Sequence, residues 1–166
     1  MFGAPLDFLR VTSSFGLRRH PLLGFTRMHQ GVDFAARQGA PVLAAADGVV
    51  TEAGRDGGYG NILRLRHADG WSTGYAHLSG YAVGLAPGTR VLKGQVIGFV
   101  GQTGLATGPH LHYEVSRDGV KLDPMTTPFG EAPTPDAGQA PAAPAPTTVA
   151  LRLRPAQVSD EIPPGV

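Results

Sequence analysis

Short alternating runs fenced by glycine, with no sustained 3.6-residue apolar period, constrain this chain more than any other feature. Gly48-Val-Val-Thr-Glu-Ala-Gly54 has glycine at both ends. Gly60-Asn-Ile-Leu-Arg-Leu-Arg-His67 sets Ile62, Arg64 and Arg66 on one face and Leu63 and Leu65 on the other. Asp69-Gly70 follows, then Trp71-Ser-Thr-Gly-Tyr-Ala-His77. Two alternating runs around an Asp-Gly pair predict a β-hairpin. Gln95–Val100 and His110–Ser116 read as further strands, the second closed by a turn at Arg117-Asp-Gly119. The 24 glycines and 15 prolines among 166 residues would interrupt helices repeatedly. The pattern therefore predicts a mainly β, antiparallel sheet domain with Gly-rich turns.

Proline divides the chain. Seven prolines fall in residues 1–130 and eight in residues 131–166. From Glu131 to Thr148 the sequence is EAPTPDAGQAPAAPAPTT, too poor in large apolar side chains to offset the entropy of ordering it. The expected organisation is one domain over 1–130 and a Pro/Ala-rich linker or disordered tail over 131–166, with Val149–Pro155 read as a frayed segment in preference to a strand added to a partner or to the body.

Composition also excludes classes of function. Without cysteine, no disulfide framework, Cys-ligated zinc finger, iron–sulfur cluster or thiol nucleophile is open to the chain. A formal net charge of +1 gives no electrostatic argument for a nucleic-acid partner. No apolar run approaches the ~18 residues of a membrane span. The first residues, MFGAPLDFLRV, lack a basic region followed by an apolar one, so no signal peptide is read there.

Six histidines remain: His20, His29, His67, His77, His110 and His112. In His110-Leu-His-Tyr-Glu-Val-Ser116 the odd positions Leu111, Tyr113 and Val115 are apolar and suit a core. The even positions carry His110, His112, Glu114 and Ser116. Two imidazoles on one strand face, about 7 Å apart, can converge on a metal, or on a metal and its water; the alternative is a solvated polar face. Met28-His-Gln-Gly-Val-Asp33 adds a nitrogen and a carboxylate oxygen, both donor types that Zn²⁺ accepts. Gly31 argues against a helix there and for a loop entering a strand. His77, in Tyr75-Ala-His-Leu-Ser79, stands at a strand end and suits the rim of a site.

The combination of His29-x3-Asp33, Tyr75-Ala-His77-Leu-Ser and Gly108-Pro-His110-Leu-His112 resembles the M23 family of zinc metallopeptidases, the lysostaphin-like or LytM-type peptidoglycan endopeptidases. The resemblance runs from about Val11 to Pro124 and includes Thr12-Ser-Ser-Phe-Gly-Leu-Arg-Arg-His20-Pro. It implies that His29, Asp33 and His112 hold one Zn²⁺. It implies that His110 is the general base acting on zinc-bound water, and that His77 helps stabilise the oxyanion. Every His and Asp position of the pattern is intact, so hydrolysis of stem-peptide or cross-bridge bonds is expected. The alternative is a non-hydrolytic envelope regulator that activates other cell-wall hydrolases.

The substrate would place the enzyme in the periplasm or cell envelope, with a targeting segment expected upstream. Tyr59 and Asn61, in Gly57-Gly-Tyr-Gly-Asn61, could wall a substrate groove. His20 and His67 read as structural or groove-lining, and Glu114, which shares the His110–His112 face, as structural or as a support behind a metal-binding residue, the structural reading preferred. Pro87–Gly98 also resembles the turn pattern of biotinyl or lipoyl carriers. Lys93, however, precedes Gly94-Gln95 rather than standing at a hairpin tip, so the likeness is read as shared β architecture.

Overall fold

The computed structural model describes residues 2–7, 10–19 and 26–127. The linker or tail expected over 131–166, and His20, lie outside the described residues. Twelve strands account for most of what is described: β1 (Val11–Ser13), β2 (Gly16–Arg19), β3 (Thr26–His29), β4 (Val32–Ala35), β5 (Pro41–Leu43), β6 (Gly48–Asp56), β7 (Gly60–Arg66), β8 (Trp71–Tyr81), β9 (Arg90–Val91), β10 (Val96–Val100), β11 (His110–Arg117) and β12 (Val120–Leu122). All strand pairings are antiparallel. Among the described residues no helix is long and apolar enough to cross a membrane.

The order along the main sheet is β1-β4-β11-β8-β7-β6-β9. β12 adds to β11, and β10 bridges β8 and β5. β2 and β3 form a separate ribbon that pairs Gly16 with His29. The expected hairpin joins β7 to β8, where Asp69 and Gly70 take φ of 54° and 73°. That pair of left-handed residues matches the twist of the flanking strands. The turn after β11 repeats the solution, with Asp118 at 50° and Gly119 at 82°. Lys93 lies in a turn between β9 and β10, but β9 pairs with β6 while β10 pairs with β5 and β8, so no hairpin presents it.

Alternation in β11 decides where the core and the chemistry go. Leu111, Tyr113 and Val115 are buried against Val32 and Phe34 of β4, Tyr75 of β8 and Leu63 and Leu65 of β7. The opposite face carries His110, His112 and Glu114. That face is polar, as expected, yet not solvated: His112 is 6% exposed and Glu114 1%.

β8 runs on to Tyr81, past the expected end at His77, and breaks its alternation on the way. Simple alternation from Thr73 and Tyr75 would aim His77 into the core. Between the pairs Leu63↔Tyr75 and Asn61↔Leu78, β7 advances two residues and β8 three, so β8 holds a bulge. His77 sits in it at φ 58°, a conformation that costs a non-glycine residue about 1–3 kcal/mol. The extra residue turns His77 to the opposite face and returns Leu78 to the core, where it is fully buried.

Leu111→Ala should destabilise the fold by about 2–5 kcal/mol, because it opens a cavity behind β11. A lower urea midpoint at unchanged slope would register this. A shift worth less than about 1 kcal/mol would mean that β11 is not anchored by its apolar face.

Candidate metal centre

Three donors meet where the β2–β3 ribbon reaches the main sheet. His29 ends β3, Gln30 and Gly31 turn the chain, and Asp33 follows in β4. Across the ladder Asp33 is the register partner of His112 in β11. His112 Nδ1 lies 2.8 Å from Asp33 Oδ1, His29 Nε2 lies 3.1 Å from the same oxygen, and the two nitrogens are 3.1 Å apart. All three residues are buried.

The remote nitrogens fix the tautomers. His29 Nδ1 donates to the Ser14 carbonyl at 2.8 Å, so Nε2 carries the lone pair. His112 Nε2 donates to Glu114 Oε1 at 3.1 Å, so Nδ1 carries it. Two lone pairs and a carboxylate oxygen thus face one point with no hydrogen among them. Such a set of acceptors is stable only around positive charge. Donors on a tetrahedral zinc with bonds near 2.0 Å stand about 3.3 Å apart, close to the separations found. The donor set therefore fits the ion that the sequence implies.

The electrostatics agree. Burial pushes the Asp33 carboxyl up, but contact with the His112 and His29 rings holds it well below the usual carboxylate range. Burial pushes His112 down, and the carboxylates of Asp33 and Glu114 on its two sides more than reverse this. The pocket therefore draws in positive charge, which is either a proton on the inner nitrogens or a metal ion in its place.

Two further histidines stand beside the three donors. His110 Nδ1 donates to the Gly108 carbonyl at 2.8 Å, and its Nε2 is 3.9 Å from Asp33 Oδ1. His77 Nδ1 donates to the Thr103 carbonyl at 2.8 Å, and its ring centroid is 4.6 Å from that of His110 and 5.8 Å from that of His112. Both rings keep Nε2 as the acceptor. Burial lowers His77 to about 4, and the nearby His110 and His112 push the same way, so it is neutral near pH 7.

The other candidates take different places. Tyr59 donates its hydroxyl to Glu114 Oε1 at 2.7 Å, with its ring centroid 5.6 Å from that of His112. Asn61 donates its side-chain amide to the Leu78 carbonyl at 3.0 Å, beside the bulge that aims His77. His67 is remote from the centre, bonded to the Asp47 carbonyl and the Thr73 hydroxyl. Glu114 fits the less preferred of its two readings, a support behind a metal-binding residue, because it touches His112 directly. Its place on the His110–His112 face was the available signal. What sequence could not supply was its burial and its ion pair with Lys121 of β12.

Gly31 makes room for this packing. A Cβ there would lie 2.9 Å from His112 Cε1 and would also collide with the Tyr113 carbonyl. Gly31→Ala is accordingly expected to displace His112, lowering both zinc content per chain and melting temperature. Metal analysis beside thermal unfolding checks this, and an unchanged zinc content would exclude a positioning role for Gly31.

Residues 27–124 match the family described as Peptidase family M23. The chain is 52% identical over 136 residues to the DD-carboxypeptidase/endopeptidase Mpg of Neisseria meningitidis, covering 82% of this chain and 30% of that protein. Among solved structures it is similar to a zinc-containing peptidase from Vibrio cholerae, with TM-score 0.69 and 37% identity over 75% of this chain and 39% of that one. It is also similar to the catalytic domain of lysostaphin from Staphylococcus simulans, with TM-score 0.64 and 36% identity over 70% of this chain and 90% of that one. The chain spans about a third of the length of the Neisseria relative. With the family's motifs in order and its match covering 27–124, this chain belongs to peptidase family M23.

Proposed function

We propose that the domain is a zinc-dependent endopeptidase that hydrolyses peptide cross-links of peptidoglycan, with His110 as its general base. One observation carries the reading: two lone-pair nitrogens and a carboxylate oxygen converge in a buried site, with two further imidazoles beside it. Two imidazoles and one carboxylate can serve zinc in hydrolases or ferrous iron in oxygenases, so ligand type alone does not choose the metal. Similarity to a zinc-containing peptidase favours zinc. The name of the Neisseria relative favours a bond between two D-configured residues. Peptidoglycan lies outside the cytoplasmic membrane, so the periplasm or cell envelope is the proposed site of action.

A zinc ion held by His29, Asp33 and His112 supplies Lewis acidity, polarising a peptide carbonyl and acidifying water. His110 is suited to move the proton. Its Nδ1–H is anchored on Gly108, its Nε2 is an acceptor, and its side chain is 17% exposed against 7% for His112. It takes a proton from the attacking water at Nε2 and returns it to the leaving amine. His77 stabilises negative charge on the former carbonyl oxygen only when its ring is doubly protonated, because its Nδ1–H is already committed to Thr103.

Purified protein incubated with peptidoglycan should release new peptide amines. Chelator should abolish the release and Zn²⁺ restore it; activity indifferent to chelation would reject the metal mechanism. Failure of the zinc-loaded protein to release amines would favour the regulator instead. Mass analysis of the products names the bond.

His112→Ala should lose both zinc and activity. His110→Ala should keep zinc and lose about 10²–10⁴-fold in rate. Equal zinc loss in the two variants would overturn this division of roles.

A further inference from the structure

Glu114 has more to do than its place in a strand requires. It is 1% exposed, yet it is a carboxylate, and a buried carboxylate is costly unless fully bonded. Three donors meet it. His112 Nε2 and the Tyr59 hydroxyl both reach Oε1, at 3.1 and 2.7 Å, and Lys121 Nζ pairs with Oε2. They come from β11 itself, from the turn before β7 and from β12, so separate pieces of chain are folded onto one side chain.

We infer that Glu114, held by Tyr59 and Lys121, is a positioning residue that fixes His112 as the Nε2–H tautomer and so presents Nδ1 to the metal. This rests on the metal-centre reading of His29, Asp33 and His112. Imidazole has two nitrogens, and a lone pair at the inner one requires the hydrogen at the outer one. For His29 a backbone carbonyl sets that choice, and for His112 a carboxylate does. An ionised acceptor also makes the imidazole a more basic ligand than a neutral carbonyl does.

The two partners have separable tasks. Lys121 is 32% exposed at its side chain and neutralises the oxygen that His112 does not use. Tyr59 shares Oε1 with His112 and so prevents the carboxylate from rotating away. Arg64 lies over the Tyr59 ring, 5.6 Å from guanidinium carbon to centroid, and is tied in turn to Glu52 and Asp56. Tyr59 thus belongs to this clamp as well as standing near the site.

Zinc affinity of the full chain, measured by competition with a chromophoric chelator, tests the assignment without reference to catalysis. Glu114→Leu should bind zinc about 10- to 100-fold more weakly while retaining its far-ultraviolet circular dichroism. Glu114→Gln keeps a carbonyl for the His112 N–H and should fall between the two. Affinity of Glu114→Leu equal to that of the unaltered chain would overturn the inference.

Should Glu114→Leu fail to fold, nitrogen-15 spectra of the unaltered zinc-loaded chain decide instead. A hydrogen on His112 Nε2 with Nδ1 bound to metal supports the clamp; the opposite tautomer overturns it. Loss of hydrolysis alone would strike at the proposed activity and leave the clamp standing.

Discussion

The pairing of Asp33 with His112 across the β4–β11 ladder is the constraint on which the rest of the site depends. A slip of one residue in β11 would turn His112 into the core and bring Leu111 and Tyr113 out of it. Each buried apolar side chain so exposed would forfeit about 1.5–3 kcal/mol. Leu111, Tyr113 and Val115 therefore hold the register at which a carboxylate and an imidazole meet. The chemistry on one face of β11 is secured by hydrophobic burial on the other. His29 then needs only the short Gln30-Gly31 turn to join them from β3, and the space behind that turn admits no Cβ.

Tautomer control is the second layer. Each of the four imidazoles of the site gives its remote hydrogen to a fixed acceptor: Ser14, Thr103 and Gly108 carbonyls for His29, His77 and His110, and Glu114 for His112. The three carbonyls belong to loop residues outside the strands. The sheet thus sets where the rings start, and the loops set which nitrogen faces the centre. The Thr103 segment is itself tied down, because the Thr103 hydroxyl accepts from the Asn61 backbone and donates to the Leu78 carbonyl. The strained backbone at His77 is thereby held from both sides.

Much of this was legible in the sequence because it is local. β6, β7 and β8 follow from period-2 runs and an Asp-Gly turn, and the two faces of β11 follow from alternation alone. The grouping of His29, Asp33, His77, His110 and His112 came from ordered motifs resembling a family, and the site brings all five together. Long-range contacts were not legible. Nothing near Lys121 in the chain announces that it pairs with Glu114, and a polar strand face in sequence looks the same whether water or another loop covers it. The short strands β1, β2, β3, β5, β9 and β12 were also missed, because two to four residues are too few to display a period. His77 is the instructive case. Its place at a strand end pointed to the rim of a site, but plain alternation would aim it into the apolar core, and only a bulge, which no local pattern marks, turns it to the polar face.

Distance from Asp33 Oδ1 sorts histidines of one chemical type into different positions. His112 lies at 2.8 Å, His29 at 3.1 Å and His110 at 3.9 Å. The first two are close enough to share a cation with the carboxylate. The third is too far to complete the same triangle, yet near enough to feel the charge that builds there. Exposure follows the same order, since the rings of His29 and His112 are sealed while His110 is reachable from solvent. A ligand gains from exclusion of water, which strengthens its hold on the ion, whereas a proton carrier must reach water and the leaving amine. On the proposed division of roles, moving one ring outward by about an ångström is enough to turn a ligand into a proton carrier.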